Sequence, residues 1–236
     1  MKNRLLLFFL AATPMFWVQG QSELHLDSPI QGEITNITNV SNFFEVNLEA
    51  QTAYQIEMTG DLDAYLELYD GNQEIASDDD GGDGLNARLV FEPTRSGTFI
   101  VNATRTSGLD GESLGKWELT LSKLPCIALN KSASAELWIR EDNSFNVTNN
   151  NVCVKFPQNG NGRLVLRPSV PGSDVTLWMQ SLSAQISEPL AFPLHREMNE
   201  LSVAFDFQGE SWLLYLTDSE TWYREGAFPV WEVSGQ

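Results

Sequence analysis

Apolar and polar side chains alternate along this chain with a period of two, and almost nowhere with the period of a helix. A chain so patterned must bury one face of each extended run beneath a second layer. The clearest stretch runs from Asp61 to Thr104. Ala64, Leu66 and Leu68 alternate there with Tyr65, Glu67 and Tyr69, and Asp70-Gly71 supplies a tight reversal, since both residue types tolerate positive φ. Asp78-Asp79-Asp80-Gly81-Gly82-Asp83-Gly84 cannot lie inside a strand. Ala87 to Phe91 and Thr98 to Val101 then resume the alternation across a Pro93…Gly97 turn. The spacing predicts an antiparallel β unit.

The rest of the first half agrees. Ile30 to Ile34 reads as an edge strand, and Phe43 to Leu48 and Ala53 to Met58 alternate, with Tyr54, Ile56 and Met58 on one face. Lys116 to Leu121 closes the unit, and Leu124-Pro125-Cys126 marks its end, because proline interrupts a ladder. Strands are also expected at 135–140, 152–156, 163–166, 175–180, 201–207, 212–217 and 230–233. Only Glu188 to Leu201 has room for a short helix, and Pro189 and Pro193 oppose it. The halves align: Asp63 to Leu66 with Asp174 to Leu177 (offset 111), Gly97 with Gly209 (112), and Trp117-Glu118-Leu119 with Trp231-Glu232-Val233 (114). Three anchors in order suggest a diverged repeat. In that alignment Ser187 to Phe192 stands where the first half has its aspartates.

The order of an aromatic-rich strand, D-x-Y-L-x-L, D-G, I-A-S-D-D, A-x-L-x-F, G-T-F-x-V and W-x-L-x-L, over Ile30 to Leu124, resembles the bacterial pre-peptidase C-terminal domain. Asp63, Leu66, Leu68, Asp78-Asp79-Asp80, Gly97 and Trp117 fall in the expected places. The resemblance implies a β-sandwich with an accessory role in an extracellular protein, beside a protease in many members. It also implies calcium in some of them.

Residues 1–20 read as a secretory signal: Lys2 and Arg4, the apolar run Leu5 to Ala12, and Val18-Gln19-Gly20 at the cleavage site. The run is short for a membrane span and Pro14 interrupts it. An uncleaved anchor is the alternative. No cysteine follows the run to take a lipid. Without this segment the chain carries 12 basic and 32 acidic residues, a formal −20, which disfavours nucleic acid and anionic lipid. Cys126 and Cys153 are the only cysteines, and in an exported chain they are expected to pair.

Four groups of residues invite chemistry. Asp78, Asp79, Asp80 and Asp83, with Asp61 and Asp63 if the strand ends meet, offer the oxygens that calcium requires. The alternative is a solvated acidic turn that blunts a sheet end. Gly111-Glu112-Ser113-Leu114-Gly115 matches G-x-S-x-G, but no strand-to-helix elbow is expected there and only His195 follows it. His195-Arg196-Glu197 lacks the second histidine of a zinc protease helix, and His25 reads as a surface residue. Trp138, Trp178, Trp212, Trp222 and Trp231 crowd the second half. Trp222-Tyr223, in a polar stretch, is the pair expected to meet a partner, while the others fit core filling.

The expectation is therefore all-β: after a cleaved signal (1–20), two tandem antiparallel β-sandwiches of jelly-roll type, at 21–124 and 125–236. The chain is expected to be exported, periplasmic or secreted. It should act as a non-catalytic accessory protein that binds a protein or polysaccharide, with calcium as a stabilising ion. A hydrolase using Ser113 and a structural component of the envelope are the competing readings. The sequence does not fix the oligomeric state.

Overall fold

A computed structural model describes residues 22–108, 112–129, 134–141, 147–158, 162–170, 174–182, 189–205, 209–218 and 230–235. The expected signal, and Trp222 and Tyr223, lie outside these residues. Everything regular in the described residues is strand, and the chain is all-β as its alternation requires.

The first sandwich has two layers. One sheet runs in the order β1 (Ser22–Glu23), β3 (Asn42–Leu48), β8 (Gly97–Arg105), β5 (Ala64–Asp70), β6 (Gln73–Asp78). The facing sheet runs β2 (Ile30–Ile34), β9 (Gly115–Lys123), β4 (Tyr54–Gly60), β7 (Ala87–Phe91). Period-two burial puts Val46, Leu66, Leu68 and Val101 from one sheet against Ile56, Met58, Leu89 and Leu119 from the other. Gly71, with φ of 62°, makes the β5–β6 reversal.

The second sandwich repeats the plan. Its sheets run β10 (Cys126–Ala128), β13 (Val152–Lys155), β18 (Ser211–Asp218), β15 (Val175–Ser181), β16 (Leu190–Leu194), and β12 (Val147–Asn149), β11 (Ser134–Glu141), β19 (Val230–Gly235), β14 (Gly162–Val170), β17 (Leu201–Phe205). Apart from the added β12, the two orders match strand for strand. The three sequence anchors fall on equivalent strands: β5 and β15, β8 and β18, β9 and β19.

Four details differ from the sequence reading. The sheets are not wholly antiparallel: β1 lies parallel to β3, and β10 to β13. Between them the chain passes through the facing sheet, by β2 in the first sandwich and by β11 and β12 in the second. Second, the segment considered for a helix holds strand β16, which pairs with β15 at the sheet edge; there Pro193 opposite Thr176 costs no ladder bond on its outer side. Third, the core-facing Phe99, Val101 and Ala103 correspond to Trp212, Leu214 and Leu216, an offset of 113, so one residue is inserted between Gly209 and its strand. Fourth, the counterpart of the acidic turn is the β16–β17 connection, 195–200, and not Ser187 to Phe192.

The sandwiches meet along a small seam. Ala53, Cys153, Leu182 and Leu213 form its apolar centre, with Val90, Leu124, Cys126 and Tyr215 against it. Cys126 and Cys153 are disulfide-bonded between the paired strands β10 and β13. Glu92 crosses the seam. Its amide donates to the Leu182 carbonyl (3.0 Å), and its carboxylate accepts the hydroxyl of fully buried Ser211 (2.5 Å). The Lys155 ammonium stands 3.7 Å from the same carboxylate and donates to the Gln51 carbonyl at 3.4 Å.

Candidate functional site

The acidic turn follows β6, and its own backbone takes one oxygen of Asp78, one of the six carboxylates expected to bind a cation. One Asp78 oxygen accepts the amides of Gly81 (2.9 Å) and Arg88 (2.7 Å). Burial, ahead of the neighbouring charges, raises the Asp78 carboxyl above the ordinary carboxylate range although those two amides pull it down. Asp79 accepts the Asp80 amide, and Asp83 stands 3.8 Å from the Arg88 guanidinium, which is also bonded to Glu57. Asn86 ties the turn together. Its side chain accepts the Gly60 amide and donates to the Asp83 carbonyl. Desolvation, then Asp79 and Asp63, raise the Asp80 carboxyl.

Asp61 and Asp63 sit elsewhere in the hydrogen-bond pattern. Asp61 donates its amide to Lys116 and lies on the rim of a second cleft with Gln31, Glu33 and Glu118. The Asp63 carboxylate accepts the Thr106 hydroxyl (2.8 Å). Among the described residues, no three carboxylate, histidine or cysteine side chains are grouped so as to hold a metal ion. As placed, these residues do not fit the calcium ion that the family resemblance implied.

Ser113 is a fastener. Its Oγ accepts the Asp63 amide at 2.8 Å, and its carbonyl accepts from the Arg105 guanidinium at 2.8 Å. The backbone at Ser113 is not left-handed, and the next element is strand β9. His25 pairs with Glu23, and His195 with Asp174. Trp212 and Trp231 are core residues, as their alternation suggested, and the Trp178 indole donates to Thr217.

Residues that the motifs did not single out form a further polar cleft. A cleft of about 700 Å³ opens over the outer face of β5 and β8, where the loop before β3 folds across them. Thr38, Asn39, Val40 and Ser41 form one side, Tyr65 and Glu67 the other, and Thr104, Arg105, Thr106 and Ser107 the floor and end. Asn36 fixes the loop, accepting from the amides of Thr38 and Asn39 and from the Thr38 hydroxyl. Arg105 is 0% exposed; its Nε and Nη1 donate to the Gly108 and Ser113 carbonyls, and its Nη2 has no partner. The hydroxyl of Thr104, 4% exposed, is unpartnered, and so is the carbonyl oxygen of the neighbouring Asn102 side-chain amide. Asn102 donates to Glu67 at 2.6 Å. Burial, and then the Glu67 carboxylate, push the Tyr69 hydroxyl up to about 12. The one sequence sign of this site was the polar ending Asn102-Ala103-Thr104-Arg105 of an otherwise apolar strand.

No family model matches this chain, and no curated protein does. Among solved structures, it is similar to the pre-peptidase C-terminal domain of a collagenase from Bacillus anthracis. That likeness has 14% identity and a TM-score of 0.36, over 44% of this chain and 95% of that one. It is also similar to the human MASP-1/3 CUB1-EGF-CUB2 fragment, at 7% identity and a TM-score of 0.23, over 88% and 99%. Scores this low mark partial likeness of strand arrangement, and the fold assignment rests on the strand pairings themselves. No helix among the described residues is long and apolar enough to cross a membrane.

Proposed function

We propose that this chain is an exported, non-catalytic accessory protein that recognises a protein or polysaccharide through the surface of its sandwiches. The observation that carries this reading is the use of Ser113. A nucleophilic serine needs a free Oγ beside a base. Here that oxygen accepts a backbone amide, and the described histidines pair with carboxylates elsewhere. The disulfide at the seam fits an oxidising compartment, periplasmic or extracellular. The acidic turn is held by its own amides, so the reading includes no structural cation.

The test is active-site labelling with a fluorophosphonate probe, followed by pull-down from culture fluid and envelope extract. The expected outcome is no adduct at Ser113 and specific recovery of a protein or polysaccharide. Stoichiometric labelling of Ser113 would make the chain a hydrolase and end this reading.

A further inference from the structure

The cleft over Thr104 and Arg105 is built like a ligand site. Two of its lining side chains, both more than nine-tenths buried, leave polar atoms without partners: the Thr104 hydroxyl and Arg105 Nη2. An orphaned buried polar atom costs about 1–3 kcal/mol, so such atoms call for an occupant that restores the bonds. Next to them, the Asn102 oxygen lacks a donor.

The kind of occupant follows from the lining. Strand β8 lies inside its sheet, paired on both sides by β3 and β5, so no backbone edge is free to add a peptide strand. Recognition there must go through side chains. Besides the Arg105 guanidinium and apolar Val40, those side chains are mainly hydroxyls (Thr104 and Ser107 among them), with the Asn39 amide, one carboxylate (Glu67) and one aromatic ring (Tyr65). Arg105 is the one cation of the lining and already gives two donors to backbone carbonyls, so an anion would meet Glu67 in a chain of formal charge −18, and an apolar molecule would leave every orphan unpaired. A sugar ring offers an apolar face to Tyr65 and hydroxyls that both donate and accept, matching donor and acceptor orphans at once.

We propose that this cleft binds a neutral saccharide, with Tyr65 stacking on the ring and Glu67, Thr104 and Arg105 bonding its hydroxyls. The proposal rests on the reading of the chain as a binding protein, and gives that binding a place. It is tested by calorimetric titration of the full chain, without its signal, with cellotetraose, chitotetraose and mannotetraose, and with glucuronate as an anionic probe. At least one neutral tetrasaccharide should bind. Tyr65→Ala and the near-isosteric Thr104→Val should each weaken it at least about tenfold, which is about 1.4 kcal/mol. Gln180→Ala, on the corresponding face of the second sandwich, should leave binding unchanged, and unchanged melting of Thr104→Val would show that the loss is local. Binding of glucuronate alone, binding of none of the four, or binding indifferent to both cleft substitutions overturns the proposal. If the pull-down still recovers a partner after any of those results, the saccharide site falls and the accessory reading stands.

Discussion

The two sandwiches share one strand order but place different chemistry on equivalent surfaces. At matching positions of β5–β8 and β15–β18, the cross-strand pair is Glu67–Asn102 in the first sandwich and Trp178–Tyr215 in the second. The first pair is polar, hydrogen-bonded, and adjoins an open cleft. In the second, Tyr215 packs against the seam, and its hydroxyl is raised by burial and by Asp78 of the first sandwich. The same sheet face thus faces solvent in one copy and its neighbour in the other, and the residues follow that difference. What a strand order conserves is the inward phase; the outward phase is free to take a ligand or a second domain.

The turns after β6 and β16 teach the same lesson in electrostatics. Each is held by an aspartate that accepts a backbone amide. In the first sandwich this is Asp78 at the strand's own end. In the second it is Asp174, which accepts the Arg196 amide (2.7 Å) and lies 3.3 Å from the His195 ring. Burial raises the Asp78 carboxyl. The Arg196 amide, then His195, lower that of exposed Asp174.

The largest effect should come from the paired core tryptophans. Trp117→Ala and Trp231→Ala are each expected to destabilise by about 4 kcal/mol, since each deletes a buried indole at an equivalent place. Calorimetry should show each variant lowering the melting of its own sandwich first; equal loss in both would mean that the seam makes them one cooperative unit. Glu92→Ala tests that seam directly. It leaves the Ser211 hydroxyl buried without its acceptor, and a loss of about 2 kcal/mol is expected, with the melting of the two sandwiches moving further apart.

The smallest effects sharpen the contrast between the turns. A carboxyl raised in the folded state binds more protons there than when unfolded, so its charged form weakens the fold as pH rises above the ordinary value of about 3.9. Asp78→Asn should therefore hold or gain stability at neutral pH, and lose that advantage as the pH drops below this range. A lowered carboxyl has the opposite sign. Asp174→Asn should lose stability at neutral pH, with the difference fading as acid protonates the wild-type group. Urea melts across the acid range would show the two crossing trends, and parallel trends would overturn the assignment of causes. In the same melts an excess of chelator should not move the midpoint, because among the described residues no three carboxylates are grouped to hold a cation.

Much of the fold was legible because alternation is a local property. Tyr54, Ile56 and Met58 were expected on one face, and all three are buried. The repeat was visible because core-facing residues are constrained in phase, so Asp63 to Leu66 and Asp174 to Leu177 stayed recognisable while the faces diverged. The helix considered over 188–201 failed as a reading because an edge strand tolerates the very prolines that interrupt other elements. The site was far less legible. G-x-S-x-G and the aspartate run are patterns of composition, and the same letters serve as turn fasteners once backbone amides reach them first. The cleft gave almost no sign, since Tyr65, Asn39 and Arg105 are far apart along the chain and unremarkable alone.

By itself the sequence determined the layered β architecture and the pairing of Cys126 with Cys153. The first follows from short-range periodicity, the second from having only two thiols to join. The tertiary structure alone decided that Ser113 and Asp78 fasten loops, that Glu92 crosses a seam, and that Thr104 and Arg105 are buried with bonds unmade. Those outcomes depend on which distant amides and carbonyls come within about 3 Å of each side chain, a distance no pattern of neighbouring residues encodes.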